Sequence, residues 1–246
     1  MKQITLSLIF LFHFSLIIIG EYKVDRLFKH KKDMFTQGLF YYQGYLYESS
    51  GLYGRSKLIK YDYTSGKVVQ EVSISSNFYG EGIALWKNKI IMLTWKSNKG
   101  LVFDLETLDF LNDFFIPFDG WGLASLEDNL IASNGSNELF IIDPNSFKVS
   151  STVLIKDFNN KPLVNINELE YVNGYLYANI WKTNRIVKID LSKKQVVSDF
   201  IFDDLIDTKV NRNRNYVLNG IAFNSDKNTF FITGKCWSYL YECILK

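Results

Sequence analysis

The chain has 246 residues and balances 28 Lys and Arg against 26 Asp and Glu. With a net charge of +2 and its lysines scattered, it lacks the basic stripe that a nucleic-acid partner requires. At 47% hydrophobic and 22% charged it has the composition of a globular domain with a sizeable core. Of the two histidines, His13 falls in the apolar start and His30 in a charged leader, so no Ser-His-Asp triad, Cys-His pair or His-rich zinc site is expected. What remains is carboxylate, amide, hydroxyl and lysine chemistry.

In chain order, residues 1–20 come first and read as a signal peptide. Lys2 precedes an apolar run from Ile4 to Gly20, and the small Gly20 stands where cleavage is expected. A retained signal anchor is the alternative. The expected location is the secretory pathway, extracellular or luminal, with no stable membrane span after processing. Residues 21–246 are expected to form one domain.

Within that domain a unit of about 45 residues recurs five times. The copies align at Gln37-Gly38-Leu39, Glu81-Gly82-Ile83, Trp121-Gly122-Leu123, Asn167-Glu168-Leu169 and Asn219-Gly220-Ile221, with spacings of 44, 40, 46 and 52 residues between the apolar positions. Each is followed by an apolar stretch, a turn-prone stretch such as Gln43-Gly44 or Asn173-Gly174, and a second apolar run. Twofold alternation and a predominance of β-formers predict an all-β fold, a five-bladed β-propeller. The aromatic content of 16% fits strands packed face to face.

The first unit predicts strands over Leu39 to Tyr42, Tyr45 to Ser50, Ser56 to Tyr63 and Lys67 to Ile74. Third strands end in acidic turns at Asp62, Asp104, Asp143 and Asp190, whose carboxylates are expected to cap turn amides. The last unit stops after a strand near Tyr239 to Leu245 and leaves an open edge. The leader Tyr22 to His30 is strand-like and belongs to no repeat, so it is expected to supply the missing strand. Cys236 and Cys243 lie seven residues apart, about 23 Å if extended. That exceeds the ~7 Å reach of a disulfide, so two buried free thiols are expected unless a turn near Ser238 joins them.

Because successive strands run antiparallel, first-strand starts and second-strand ends share one face of a propeller. The starts are Gln37, Glu81, Trp121, Asn167 and Asn219; the ends are Gly51, Trp95, Gly135, Trp181 and Lys235. Together they predict a mouth with one carboxylate, three amides, three indoles and one ammonium, the form of a small-molecule pocket. Each residue also has a plainer reading. Glu81, between two glycines, fits a satisfied turn; the tryptophans fit packing between blades; Lys235 fits a solvated strand end; and the amides fit strand caps.

The stretches Phe35-Thr36-Gln37-Gly38-Leu39, Tyr79-Gly80-Glu81-Gly82, Leu93-Thr94-Trp95-Lys96, Gly120-Trp121-Gly122, Asn167-Glu168-Leu169-Glu170, Asn179-Ile180-Trp181-Lys182 and Thr233-Gly234-Lys235-Cys236-Trp237 resemble the plant and bacterial glutaminyl-peptide cyclotransferases, the glutaminyl cyclases. The resemblance spans the chain beyond its leader, in order. It implies a five-bladed propeller that converts N-terminal glutamine of a peptide or protein to pyroglutamate with release of ammonia, an acyltransferase reaction. Glu81 falls on the family's catalytic acid/base. Phe35, Gln37, Trp95, Trp121, Asn167, Trp181 and Lys235 fall on its substrate-shaping positions, and Tyr79 stands where phenylalanine is more usual. No cofactor or metal is implied for catalysis, a structural cation is left open, and a closed ring is expected to be a monomer.

Two other readings remain open at this point. One is a secreted propeller that grips a peptide end without chemistry. The other is a calcium-dependent propeller hydrolase using Glu81, Asn134 and Asn167 as oxygen ligands.

Overall fold

A computed structural model describes residues 19–205 and 213–246. The expected signal segment, Ile19 and Gly20 apart, lies outside the described residues. Among those described, no helix is long and apolar enough to cross a membrane. The described residues include twenty strands, which form five four-stranded antiparallel sheets.

The first blade comprises β2 (Thr36–Tyr42), β3 (Tyr45–Ser50), β4 (Lys57–Asp62) and β5 (Lys67–Ser73). The second comprises β6 (Gly80–Trp86), β7 (Lys89–Thr94), β8 (Lys99–Asp104) and β9 (Phe110–Phe115). The third is β10 (Leu123–Leu126), β11 (Asn129–Ala132), β12 (Glu138–Ile142) and β13 (Val149–Leu154), and the fourth is β14 (Ile166–Val172), β15 (Tyr175–Ile180), β16 (Arg185–Asp190) and β17 (Gln195–Ile201). In the fifth, β18 (Leu218–Asn224), β19 (Thr229–Gly234) and β20 (Tyr239–Leu245) are joined at the outer edge by β1 (Tyr22–Lys29), from the opposite end of the chain. Tyr22 pairs with Leu245 and Lys29 with Tyr239, with a register shift between Val24 and Arg26.

Burial explains the order of strands within a blade. Inner and middle strands such as β2 and β3 are nearly all buried, reading as continuous apolar or small-residue runs, whereas β5 alternates exposed and half-buried residues and shields one face only. The apolar residues divide into five clusters, one between each pair of neighbouring blades. One of them joins Leu39, Leu46 and Ile59 of the first blade to Ala222, Phe231 and Leu240 of the fifth, which closes the ring.

The repeated glycine next to each site position has a steric cause. A Cβ on Gly82 would lie 2.5 Å from the Leu123 nitrogen, and one on Gly122 would lie 2.0 Å from the Asn167 oxygen, because first strands converge at the axis. The fourth unit carries Glu168 instead of glycine. Its fully buried carboxylate accepts hydrogen bonds from the Leu39 amide at 3.2 Å and the Ile221 amide at 2.8 Å, tying three blades together.

The acidic turns form as expected. Asp62, Asp104, Asp143 and Asp190 accept bonds from amides two or three residues on. Cys236 and Cys243 are buried and free.

Candidate active site

The first unit's inner strand was expected from Leu39, but β2, β6, β14 and β18 each start three residues before the aligned apolar residue and carry a bulge where the site residues sit. Register slips between Thr36 and Gly38, Gly80 and Ile83, Ile166 and Leu169, and Leu218 and Ile221. A bulge re-aims the extra residue. It therefore points Gln37, Glu81 and Asn167 along the channel while their neighbours stay in the sheet.

The second-strand ends are bent by another local device. Leu52, Lys96, Lys182 and Cys236 adopt left-handed φ values of 86, 57, 62 and 58°. Each lies two residues past the end of its strand, so the chain turns away sharply after presenting Gly51, Trp95, Trp181 or Lys235 at the mouth.

A cavity of about 310 Å³ results, lined by Phe35, Gln37, Leu52, Tyr79, Glu81, Trp95, Trp121, Asn167, Trp181, Asn215 and Lys235. The nine residues singled out from sequence (Phe35, Gln37, Tyr79, Glu81, Trp95, Trp121, Asn167, Trp181 and Lys235) thus meet at one wall-to-wall site. Asn219 does not. It is fully buried and turns its amide nitrogen to the Thr36 and Gln37 carbonyls at 3.0 and 3.4 Å, so it closes the seam between first and last blades. Gly51 and Gly135 contribute space only: a Cβ would approach the Tyr79 ring to 2.3 Å or the Trp121 ring to 2.6 Å.

Glu81 is 5% exposed and accepts a hydrogen bond from Gln37 Nε2 at 3.1 Å. Burial pushes its carboxyl well above the usual 4.5, and the Lys235 charge only partly opposes this. Lys235, 4% exposed, is pulled down from 10.5 to about 8 by burial, against the raising effect of Glu81. Its ammonium lies 4.9 Å from the centre of the Phe35 ring. Tyr79 is raised by burial and by the nearby Glu81, and the Gln37 side chain and Leu52 backbone oppose this only in part.

Aromatic edges fix the walls. Tyr79 meets Trp95 edge-on at 5.5 Å, and Trp121 meets Trp181 edge-on at 5.3 Å. Two buried carbonyl oxygens, Gln37 Oε1 and Asn167 Oδ1, find no protein donor. Unmatched buried acceptors are costly unless a ligand or water supplies the donors.

Sequence reasoning missed Leu52 and Asn215. Leu52 could have been found as the residue after Gly51, at the bend shared by four blades. Asn215 comes from the insertion that makes the fourth spacing the longest, at 52 residues. The cation set of the calcium reading does not assemble: Asn134 is outside the cavity, and its Oδ1 accepts bonds from the Ser136 amide and hydroxyl at 3.0 and 2.6 Å. Among the described residues, no three His, Cys, Asp or Glu are grouped to hold a metal ion.

Residues 16–245 match the glutamine cyclotransferase family. This chain belongs to that family. A glutaminyl-peptide cyclotransferase of Arabidopsis thaliana is 35% identical over 232 residues, covering 93% of this chain and 72% of the plant protein. Among solved structures, the glutamine cyclotransferase fold seen here resembles the glutaminyl cyclase of Myxococcus xanthus with a TM-score of 0.86 at 29% identity, covering 94% of this chain and 98% of that one. The WD40 domain of Neurospora crassa Pan2, at TM-score 0.51, 10% identity and coverage of 85% and 74%, shares the fold alone.

Proposed function

We propose that this chain is a glutaminyl cyclase acting on peptides and proteins with N-terminal glutamine, and that Glu81 is its general acid/base. The observation that carries this reading is a single buried carboxylate of raised pKa, facing a buried lysine within an aromatic cavity. The neutral α-amine attacks the side-chain carbonyl carbon, forming the ring C–N bond, and the amide nitrogen leaves as ammonia. One proton must leave the attacking nitrogen and one must reach the departing nitrogen. A carboxyl that burial makes a stronger base than a free glutamate can take the first and deliver the second. Among the described residues, no other carboxylate lines the cavity.

The remaining residues divide the other tasks. Gln37 Oε1 and Asn167 Oδ1, unpartnered, accept from the substrate's N–H groups. Lys235 opposes the negative charge that develops on the carbonyl oxygen. Trp95, Trp121 and Trp181 restrict the flexible side chain to a folded, near-attack shape. Incubation with a Gln-initiated peptide should give a product lighter by one ammonia and blocked at its N-terminus; an unchanged peptide would overturn the reading.

Trp181→Ala removes half of the edge-on indole pair and should raise KM by about tenfold or more, with a smaller change in kcat. Unchanged kinetics would return Trp181 to packing between blades. Tyr79→Phe tests the hydroxyl alone. Tyr79 lines the cavity beside Glu81, so a hydroxyl that bonds the substrate should, when lost, lower kcat/KM by about fivefold to tenfold, one neutral hydrogen bond. A variant indistinguishable from the parent would assign Tyr79 a packing role only.

A further inference from the structure

We propose that Lys96 and Lys182 form a cationic rim that favours substrates with carboxylates just beyond the N-terminal residue, at the second to fourth positions. This rests on the reading of the cavity as the seat of the N-terminal glutamine, and it adds what the rest of the peptide meets. The cavity is enclosed by the strands of five blades and large enough for one residue, so the following residues must leave across the mouth. There the second and fourth blades are built alike. Lys96 Nζ stands 4.2 Å from the centre of the Trp95 ring, and Lys182 Nζ stands 4.4 Å from that of Trp181.

Both lysines are exposed, while the indoles beneath them are half-buried and line the cavity. Both adopt the left-handed backbone conformation, which glycine or asparagine fills at least cost. That bend folds each side chain back over the preceding ring and fixes its charge at the opening.

The charge around these groups is one-sided. The five turns joining second to third strands, all on this face, contain Arg55, Lys96, Lys182 and Lys235 and no acidic residue. The acids that do reach the face are mostly engaged: Asp33 with Lys57 at 3.0 Å, Asp157 with its own turn amides, Asp203 with Asn184 at 2.8 Å, and Asp204 with Tyr22. Asp119, half-buried ahead of Trp121, is the remaining one near the rim among the described residues. Among the described residues, neither Lys96 nor Lys182 is ion-paired. The opposite face carries the acidic turns of Asp62, Asp104, Asp143 and Asp190. A cleft edged by one sign of charge concentrates ligands of the other and speeds their arrival.

The test uses three amidated tetrapeptides, Gln-Asp-Asp-Ala, Gln-Asn-Asn-Ala and Gln-Lys-Lys-Ala, with the full chain. At about 0.01 M salt, kcat/KM for the acidic peptide should exceed that for the basic one by about tenfold, mostly through KM. At about 1 M salt, where screening acts within about 3 Å, the ratio should fall towards one. The double variant Lys96→Gln, Lys182→Gln should lose most of the preference, and Lys96→Arg, Lys182→Arg should restore it. Should the double variant fail to fold, the salt dependence of the parent still decides. Cyclisation of all three peptides at equal, salt-independent rates would overturn the rim and leave the active-site reading standing. Cyclisation of none would overturn both.

Discussion

Glu81→Gln should lower kcat by about 10²-fold or more while leaving KM near that of the parent chain, the usual scale for loss of a general acid/base. The substitution keeps shape and most contacts: the new amide oxygen can still accept the bond now made from Gln37 Nε2 to Glu81 Oε1 at 3.1 Å. What it removes is the ability to take and return a proton. Because the carboxyl is already held above 4.5 by burial, replacing it by a neutral amide costs little in folding, so a correctly folded and nearly inactive enzyme is expected. Binding of a Gln-initiated peptide by the variant, measured directly, separates the chemical role from capture. Turnover within about threefold of the parent would remove Glu81 from the proton transfers, since acid/base groups contribute far more than that. Lys235, pulled down to about 8 by burial, would then be the next group of the cavity to test for the proton transfers.

Much of this site was legible in sequence for a physical reason. A propeller repeats one supersecondary unit, so equivalent residues converge on the axis whatever their identity, and alignment of five copies predicts convergence without any contact being known. The step from a shared level to a shared cavity is where the alignment failed. Asn219 occupies the same repeat position as Gln37 and Asn167, yet its bulge falls beside Gly220, whose φ is 122°, and its amide turns to the backbone of the first blade. A bulge leaves no compositional mark, and its direction depends on which neighbour offers an acceptor. Glu168 was likewise read within a motif and given no task, although the absence of glycine at that one position marked it as different. Its carboxylate serves buried amides that no local pattern reveals. His30 was set aside as part of a charged leader. The fold buries it against Glu48, eighteen residues away in sequence and on the first blade, a partner that only the closed ring brings near.

Deletion of residues 21–30 should abolish soluble folding, because that segment is the outer strand of the fifth blade. Without β1, the backbone of β20 from Tyr239 to Leu245 loses its partner along the register Tyr22 to Lys29 and presents an open edge to other chains. Packing is lost as well. Tyr22 packs at a tilt against Phe202 at 4.4 Å, and Phe28 meets Tyr63 edge-on at 5.2 Å. Both rings are half-buried, so each contributes part of the about 1.5–3 kcal/mol of a fully buried aromatic, and with the missing ladder this is a large share of the about 5–15 kcal/mol stability of a typical domain. The end of the strand is held by His30, whose Nδ1 lies 2.9 Å from the Trp237 carbonyl oxygen and whose Nε2 lies 3.1 Å from both Glu48 oxygens. Burial lowers the His30 pKa, but the charge and hydrogen bond of Glu48 outweigh it and the value stands above 6.5. This stabilisation is therefore fully present below pH 6.5 and is lost as pH rises through the raised folded value. Thermal melts of the intact chain should show that decline, and a His30→Gln variant should flatten it. A chain lacking residues 21–30 that remained soluble, with an unchanged melting temperature, would show that the fifth blade stands on three strands and that the seam contributes nothing.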